Sequence, residues 1–194
     1  MTPFSLDRLR LAALTLAALC AALASAPAHA ADWTVDPDAS RLTFEGMQTG
    51  KAFDGGFDEF TAEIALDPAA PETGSIRVVV DTGSFNTGAA DRDAEAMKPD
   101  WFDTETYPEA VFVSDRIEAT ADGYVANGTL TIKDVSLPVS LPFTLEVEGD
   151  RAVAEGGMTV ARLDYHLGVG DWADGVFVGL EVGIAFHVEA DRGA

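Results

Sequence analysis

The chain has 194 residues, with 12 basic and 33 acidic side chains and a formal charge of −21. Hydrophobic residues make up 47%, enough for a packed core and too many for a disordered acidic tail. The length suits one domain or two small ones. The acid excess, with no Lys/Arg cluster against it, excludes a nucleic-acid binder and a protein held to anionic lipid by charge.

The first thirty residues differ in kind from the rest. Arg8 and Arg10 precede an apolar run from Leu11 to Ala24, and Ala28-His29-Ala30 follows. A basic start, a short apolar middle and an A-x-A end predict a secretory signal over 1–30, and the run is short for a membrane span. Cleavage after Ala30 leaves an exported, periplasmic chain with 10 bases and 32 acids. Cys20, the one cysteine, lies inside the apolar run behind Leu19, which is too large for a lipoprotein signal. The mature chain then has no disulfide, thiol nucleophile or cysteine metal site, and stands on its core alone.

From there the sequence reads as strands, with period-2 alternation broken by turn signals. Leu42 and Phe44 alternate with Arg41, Thr43 and Glu45. Phe60, Ala62, Ile64 and Leu66 form the next stripe, ended by Asp67-Pro68. Ile76, Val78 and Val80 follow. A helix is predicted over Ala89 to Met97, closed by Pro99. Ala110–Ser114 and Ile117–Thr120 read as two short runs, and Asp122-Gly123 as a hairpin turn. Tyr124, Ala126, Gly128, Leu130 and Ile132 share a face, as do Val139, Leu141, Phe143, Leu145 and Val147. Gly149-Asp150 turns the chain into Ala152–Leu163. The last stripe is the longest: Val176, Val178, Leu180, Val182, Ile184, Phe186 and Val188. Eight or nine strands and one short helix exclude a parallel α/β sheet, and a strand as long as the last suits a strongly curved sheet or barrel. One domain over 32–190 is the simplest organisation.

A barrel of about eight strands can hold one ligand if its own side chains leave room. The stripes here mix Phe, Leu, Ile and Val with Ala62, Ala110, Ala126 and Gly128. An isoprenoid chain offers only C–H surface and needs an apolar tunnel. At about 0.8 kcal/mol per buried CH₂, roughly three or four isoprene units would reach the about 8 kcal/mol of a micromolar complex. The same stripes would equally pack a dry core.

Motifs for other chemistry are weak. His166 and His187 share no metal-ligand spacing, so no metal or cofactor is expected. Gly168-Val169-Gly170-Asp171-Trp172-Ala173 fits G-x-G-x-x-A, but without a following long helix it reads as a loop. Asp171 and Asp174 miss the EF-hand spacing. No G-x-S-x-G occurs, and no carboxylate pair stands out for glycoside cleavage. Asn127-Gly128-Thr129 is a sequon only in a glycosylating host. Arg92 and Asp93, on the predicted helix, are the polar pair to watch: Arg92 is placed to fold onto Asp164 or Asp103, pinning the helix over a barrel end or meeting a ligand head group. Trp101, Phe102 and Tyr107 read as rim packing.

Several segments in order resemble the YceI-like family. They are Trp33–Ser40, Phe57–Ile64, Arg92-Asp93, Trp101-Phe102-Asp103 with Tyr107–Ser114, Gly128–Val135 with Pro138-Val139, and Arg162–Tyr165. The resemblance implies an all-β fold, an extended antiparallel lipocalin-like β-barrel of about eight strands with one short helix. It implies a periplasmic lipid carrier, not an enzyme, holding a polyprenyl or quinone-like isoprenoid chain. It also implies a link to cytochrome b561-like membrane proteins, so a module working with a membrane cytochrome is the alternative. A barrel enzyme on a hydrophobic substrate is the more distant one, and a homodimer is left open. The lumen candidates are Phe44, Phe60, Ile64, Phe102, Phe112, Leu130, Ile132, Phe143 and Phe186. Alternation groups them on shared faces without saying which face is inside.

Overall fold

The computed structural model describes residues 31–193; the expected leader over 1–30 lies outside them. Eleven strands among the described residues form one antiparallel sheet. They are β1 (Asp32–Val35), β2 (Arg41–Gln48), β3 (Lys51–Phe57), β4 (Phe60–Ala65), β5 (Ser75–Asp81), β6 (Phe85–Asn86), β7 (Glu109–Thr120), β8 (Gly123–Ile132), β9 (Val135–Glu148), β10 (Arg151–Ala161) and β11 (Glu181–Arg192). Eight close a ring in the order β1-β4-β5-β7-β8-β9-β10-β11. The first strand seals it against the last, with Trp33 opposite Arg192 and Val35 opposite Ala190. The hairpin β2–β3 adds to β11 and carries the two-residue β6 at its far edge.

Local sequence explains the connections. Between β2 and β3, Thr49 and Gly50 both take positive φ (49° and 75°), which matches the right-handed twist of a tight hairpin. The expected turns at Asp122-Gly123 and Gly149-Asp150 join β7 to β8 and β9 to β10. One helix, α1 (Ala90–Ala96), stands where a helix was expected. Asp91 and Asp93 occupy its first turn, where carboxylates favour the exposed N–H groups. Asp93 Oδ1 also accepts from the Thr87 N–H (2.9 Å) and Thr87 hydroxyl (2.6 Å), tying the helix to the loop before it.

Three sequence expectations are corrected. The runs Ala110–Ser114 and Ile117–Thr120 are one strand, β7, whose register against β8 shifts between Ser114 and Arg116. Gly128 faces that irregularity, and a Cβ there would lie 2.2 Å from the Val113 carbonyl oxygen. It serves close backbone approach at a bulge and does not widen the lumen. The last strand begins at Glu181, not near Val176. Val176 and Leu180 are exposed, at 78% and 43%.

Candidate functional site

The inner face of the ring encloses a cavity of about 470 Å³, within the roughly 300–1,000 Å³ of small-molecule pockets. Alternation puts its walls in place. Phe60, Ala62 and Ile64 face inward from β4, Ile76, Val78 and Val80 from β5, and Ala110 and Phe112 from β7. Leu130 and Ile132 come from β8, Leu141, Phe143 and Leu145 from β9, and Val182, Ile184, Phe186 and Val188 from β11. All nine lumen candidates line this cavity: Phe44, Phe60, Ile64, Phe102, Phe112, Leu130, Ile132, Phe143 and Phe186. Of the small residues singled out, Ala62 and Ala110 line it, whereas Ala126 is fully buried outside it. Sequence reading did not pick out Ala152 and Ala154 on β10, which keep that wall low.

The cavity has two unlike ends. Along β10 and β11 it runs from the pair Ala152–Ala190 to the pair Val160–Val182, a strand path of roughly 26 Å. The first end is shut by Trp33, 6% exposed, whose indole N–H donates to the Leu66 carbonyl (2.9 Å) and whose ring carries the Arg192 guanidinium at 4.8 Å. Toward the other end, five phenylalanines gather near α1. Phe44 stacks on Phe85 (4.9 Å), Phe57 meets Phe102 edge-on (5.8 Å), and Phe53 meets Phe44 edge-on (6.3 Å). Offset and edge contacts of this kind add about 0.5–1.5 kcal/mol each beyond burial.

Polar groups on the wall collect at the α1 end. Arg162 is 1% exposed and spends all five N–H donors on backbone carbonyls. Its Nε donates to Gly179 (2.8 Å), Nη1 to Leu167 and Gly168 (2.7 Å each), and Nη2 to Trp172 (2.5 Å) and Val178 (2.9 Å). Burial lowers its pKa from the usual arginine value, while Asp174 opposes that shift. The guanidinium thus gathers the chain between β10 and β11 into a wall at the barrel's end. Trp101 lies over it at 5.3 Å and packs on Trp172 at 5.9 Å. Sequence reading had Arg162 only within the family-like Arg162–Tyr165 segment. Its phase with Met158 and Val160 was the available signal that it points inward.

The helix pair behaves differently from expectation. Arg92 folds neither onto Asp164 nor onto Asp103. Its guanidinium stacks on the Phe53 ring at 4.0 Å, and Nη2 donates to Gln48 Oε1 (2.9 Å). Arg92 Nε and Trp101 Nε1 are buried, and neither finds an acceptor among the described residues. Phe102 lines the cavity and is 9% exposed, while Tyr107 is not part of its wall.

The remaining motifs lie elsewhere. His187 sits on the outer face, with Nδ1 2.6 Å from Glu155 Oε1 and Nε2 3.1 Å from Glu189 Oε1. Hydrogen bonds to Glu189, then Glu155, raise its pKa. Glu189 is lowered by His187, then by Arg151. His166 is exposed, 3.7 Å from Asp134. Gly168 of the G-x-G segment packs against Trp101 and Arg162. The Asp174 carboxylate accepts from the Val176 N–H (2.8 Å) in a local turn.

Comparison with known proteins agrees with this geometry. A UPF0312 protein of Shewanella baltica is 30% identical over 165 residues, covering 80% of this chain and 85% of its own. One from Pseudomonas savastanoi is 33% identical over 143 residues, 72% of this chain and 73% of the relative. A match to a UPF0312 protein of Photorhabdus laumondii, 35% identical over 95 residues, spans about half of each chain. The crystal structure of Burkholderia cenocepacia BcnA superposes with a TM-score of 0.77 at 34% identity, over 81% of this chain and 99% of that one. A Saccharophagus degradans domain described as polyisoprenoid-binding shares the fold, with a TM-score of 0.64 at 19% identity, over 84% and 99%. The YceI-like domain model matches residues 33–190, the whole span from the tryptophan that shuts one end to the last buried alanine of β11, and the chain belongs to the YceI family.

Proposed function

We propose that this protein is a periplasmic carrier that holds a polyprenyl or quinone-like isoprenoid chain in its lumen and does no chemistry on it. The observation that carries this reading is the apolar cavity of about 470 Å³ running along the barrel. A core built only to be stable would be filled, since voids forfeit dispersion and cost stability. Here Ala62, Ala110, Ala152 and Ala154 face the cavity. The wall is hydrocarbon over most of its length, so affinity comes from apolar area removed from water and selectivity from length and width. The likeness to a domain described as polyisoprenoid-binding supports the chemical class. The basic and apolar leader over 1–30 supports export.

The test is native mass spectrometry of protein purified from its own host, followed by organic extraction. A co-purified hydrophobe of defined mass, or uptake of added polyprenol or quinone, is the expected result. Protein that is empty and refuses both would overturn the carrier reading.

A further inference from the structure

Large apolar side chains are not exposed evenly over this barrel. Six are exposed among the described residues: Met47, Val113, Val147, Val176, Phe177 and Leu180. Val113 and Val147 stand singly on β7 and β9. The other four gather on one short stretch of rim. The Gly179 N–H donates to the Met47 carbonyl and the Thr49 N–H to the Phe177 carbonyl (2.8 Å each). Gln48 pairs with Val178, and a Cβ on Gly175 would lie 2.8 Å from Leu180 Cγ. The segment 175–180 is thus held against the end of β2, and Val176 is its barest side chain, 78% exposed. This stretch of rim borders the lumen. Of the residues lining the cavity, Met47 and Asp91 are the two that are exposed. One ends β2 and the other begins α1, and the hydrogen bond from Arg92 to Gln48 holds those elements side by side. Phe177 packs on Trp172 (5.5 Å) and Trp172 on Trp101 (5.9 Å), and both tryptophans line the cavity. A chain of apolar contacts therefore runs from the exposed Phe177 ring into the lumen.

Building on the carrier reading, we infer that Met47, Val176, Phe177 and Leu180 form a docking surface for a zwitterionic lipid bilayer, on which the barrel sets the mouth of its lumen. Area separates a bilayer from a protein partner. The four side chains expose roughly 400 Å², the size at which an apolar patch on a monomer marks an interaction site. A stable protein interface buries about 800 Å² per partner. Shallow insertion into a bilayer needs no matching shape, and it strengthens with whatever apolar area is presented. A second copy of the chain would also bring a second strongly acidic body to the same place. Asp171 and Asp174 flank the patch, so the surface that suits it carries no net negative charge. An isoprenoid chain dissolves in a bilayer and not in water, and contact at the mouth spares it the passage through water.

Flotation of unloaded protein with phosphatidylcholine vesicles tests the docking without any cargo. The double change Val176→Ser and Phe177→Ser should lower the partition coefficient at least fivefold, as the lost apolar area requires. Val176→Trp should raise it severalfold, since tryptophan favours the membrane interface; that side chain is mostly bare, so this variant leaves the packing intact. Val113→Ser, on the wall of β7, should leave it within about twofold. Equal partition of all four proteins would overturn the bilayer assignment, whether or not the protein carries a polyprenol. A dimer in light scattering that the double change dissolves would overturn it in favour of a second copy. Stopped-flow transfer of a fluorescent polyprenol to the same vesicles then tests delivery. Its rate should rise in proportion to vesicle concentration and fall in the double variant. A rate independent of vesicle concentration would put release in water and overturn delivery by contact. Protein that takes up no polyprenol at all would overturn the carrier reading, and flotation would still decide the docking.

Discussion

At the scale of single residues, the buried charge matters most. Arg162 gives its donors to carbonyls on both sides of an irregular segment, and each carbonyl depends on it in return. Lysine offers three donors at one point and cannot span them. Arg162→Lys should therefore destabilise the protein by about 3 kcal/mol, read as a lower urea midpoint at unchanged slope; a midpoint unaffected by the change would refute the role. The outer cluster of His187, Glu155, Glu189 and Arg151 predicts a pH signature. His187 has a raised pKa in the fold, so its contribution is complete below the unfolded value of 6.5 and fades as pH climbs through the folded one. Glu189 is lowered, so its contribution is complete above 4.5 and fades as pH falls through its folded value. The stability difference between wild type and His187→Gln should peak between pH 4.5 and 6.5 and shrink on either side. Urea titrations across that range would show a flat difference if the cluster were inert.

At the scale of elements, the strands that build the cavity were legible because alternation is a local property: each inward side chain is fixed by its neighbours' parity. That is why the eight lumen candidates on strands share the cavity, although parity could not say which face was inside; Phe102 reaches it from the turn after α1. Two kinds of element escaped. β1 is four residues long and β3 carries Gly55-Gly56, so neither shows a stripe long enough to read. The start of β11 was misread for the opposite reason. Val176, Val178 and Leu180 continue its alternation, and the Leu180 carbonyl still accepts the Arg162 backbone N–H (2.9 Å) in register with β10, but the carbonyls of Val178 and Gly179 accept from the Arg162 guanidinium. Those two carbonyls are lost to the ladder, and a tertiary contact decided what the local pattern could not. The unpaired donors of Arg92 and Trp101 were invisible for the same reason, since satisfaction is counted across the fold. Space on one strand also predicts a block. Ala62→Phe on β4 should fill part of the lumen, cut uptake of a polyprenol at least tenfold, and change stability by no more than about 1 kcal/mol, because the added ring enters a void. Undiminished uptake by the folded variant would place the ligand elsewhere.

At the scale of the whole molecule, an apolar interior is wrapped in an acidic exterior. A formal charge of −21 keeps such a barrel soluble and holds it away from anionic bilayers. Delivery of a bound chain should therefore be slower to vesicles containing anionic phospholipid than to zwitterionic ones at about 10 mM salt, where fields reach roughly 30 Å. The gap should close at about 150 mM or more, as screening shortens that reach. Stopped-flow transfer of a fluorescent polyprenol would measure it, and identical rates at low salt would show that exchange does not pass through the membrane surface.

The clamp around Arg162 sets the terms on which that end of the barrel can open. It grips dipoles, not counter-ions, so added electrolyte has little to compete for. Its grip is also shared: the chain that carries Trp172 and the one that carries Val178 hang from the same guanidinium, so loosening one frees the other. A cargo leaving by this route would wait for a single concerted release, whose pace answers to temperature and denaturant far more than to brine.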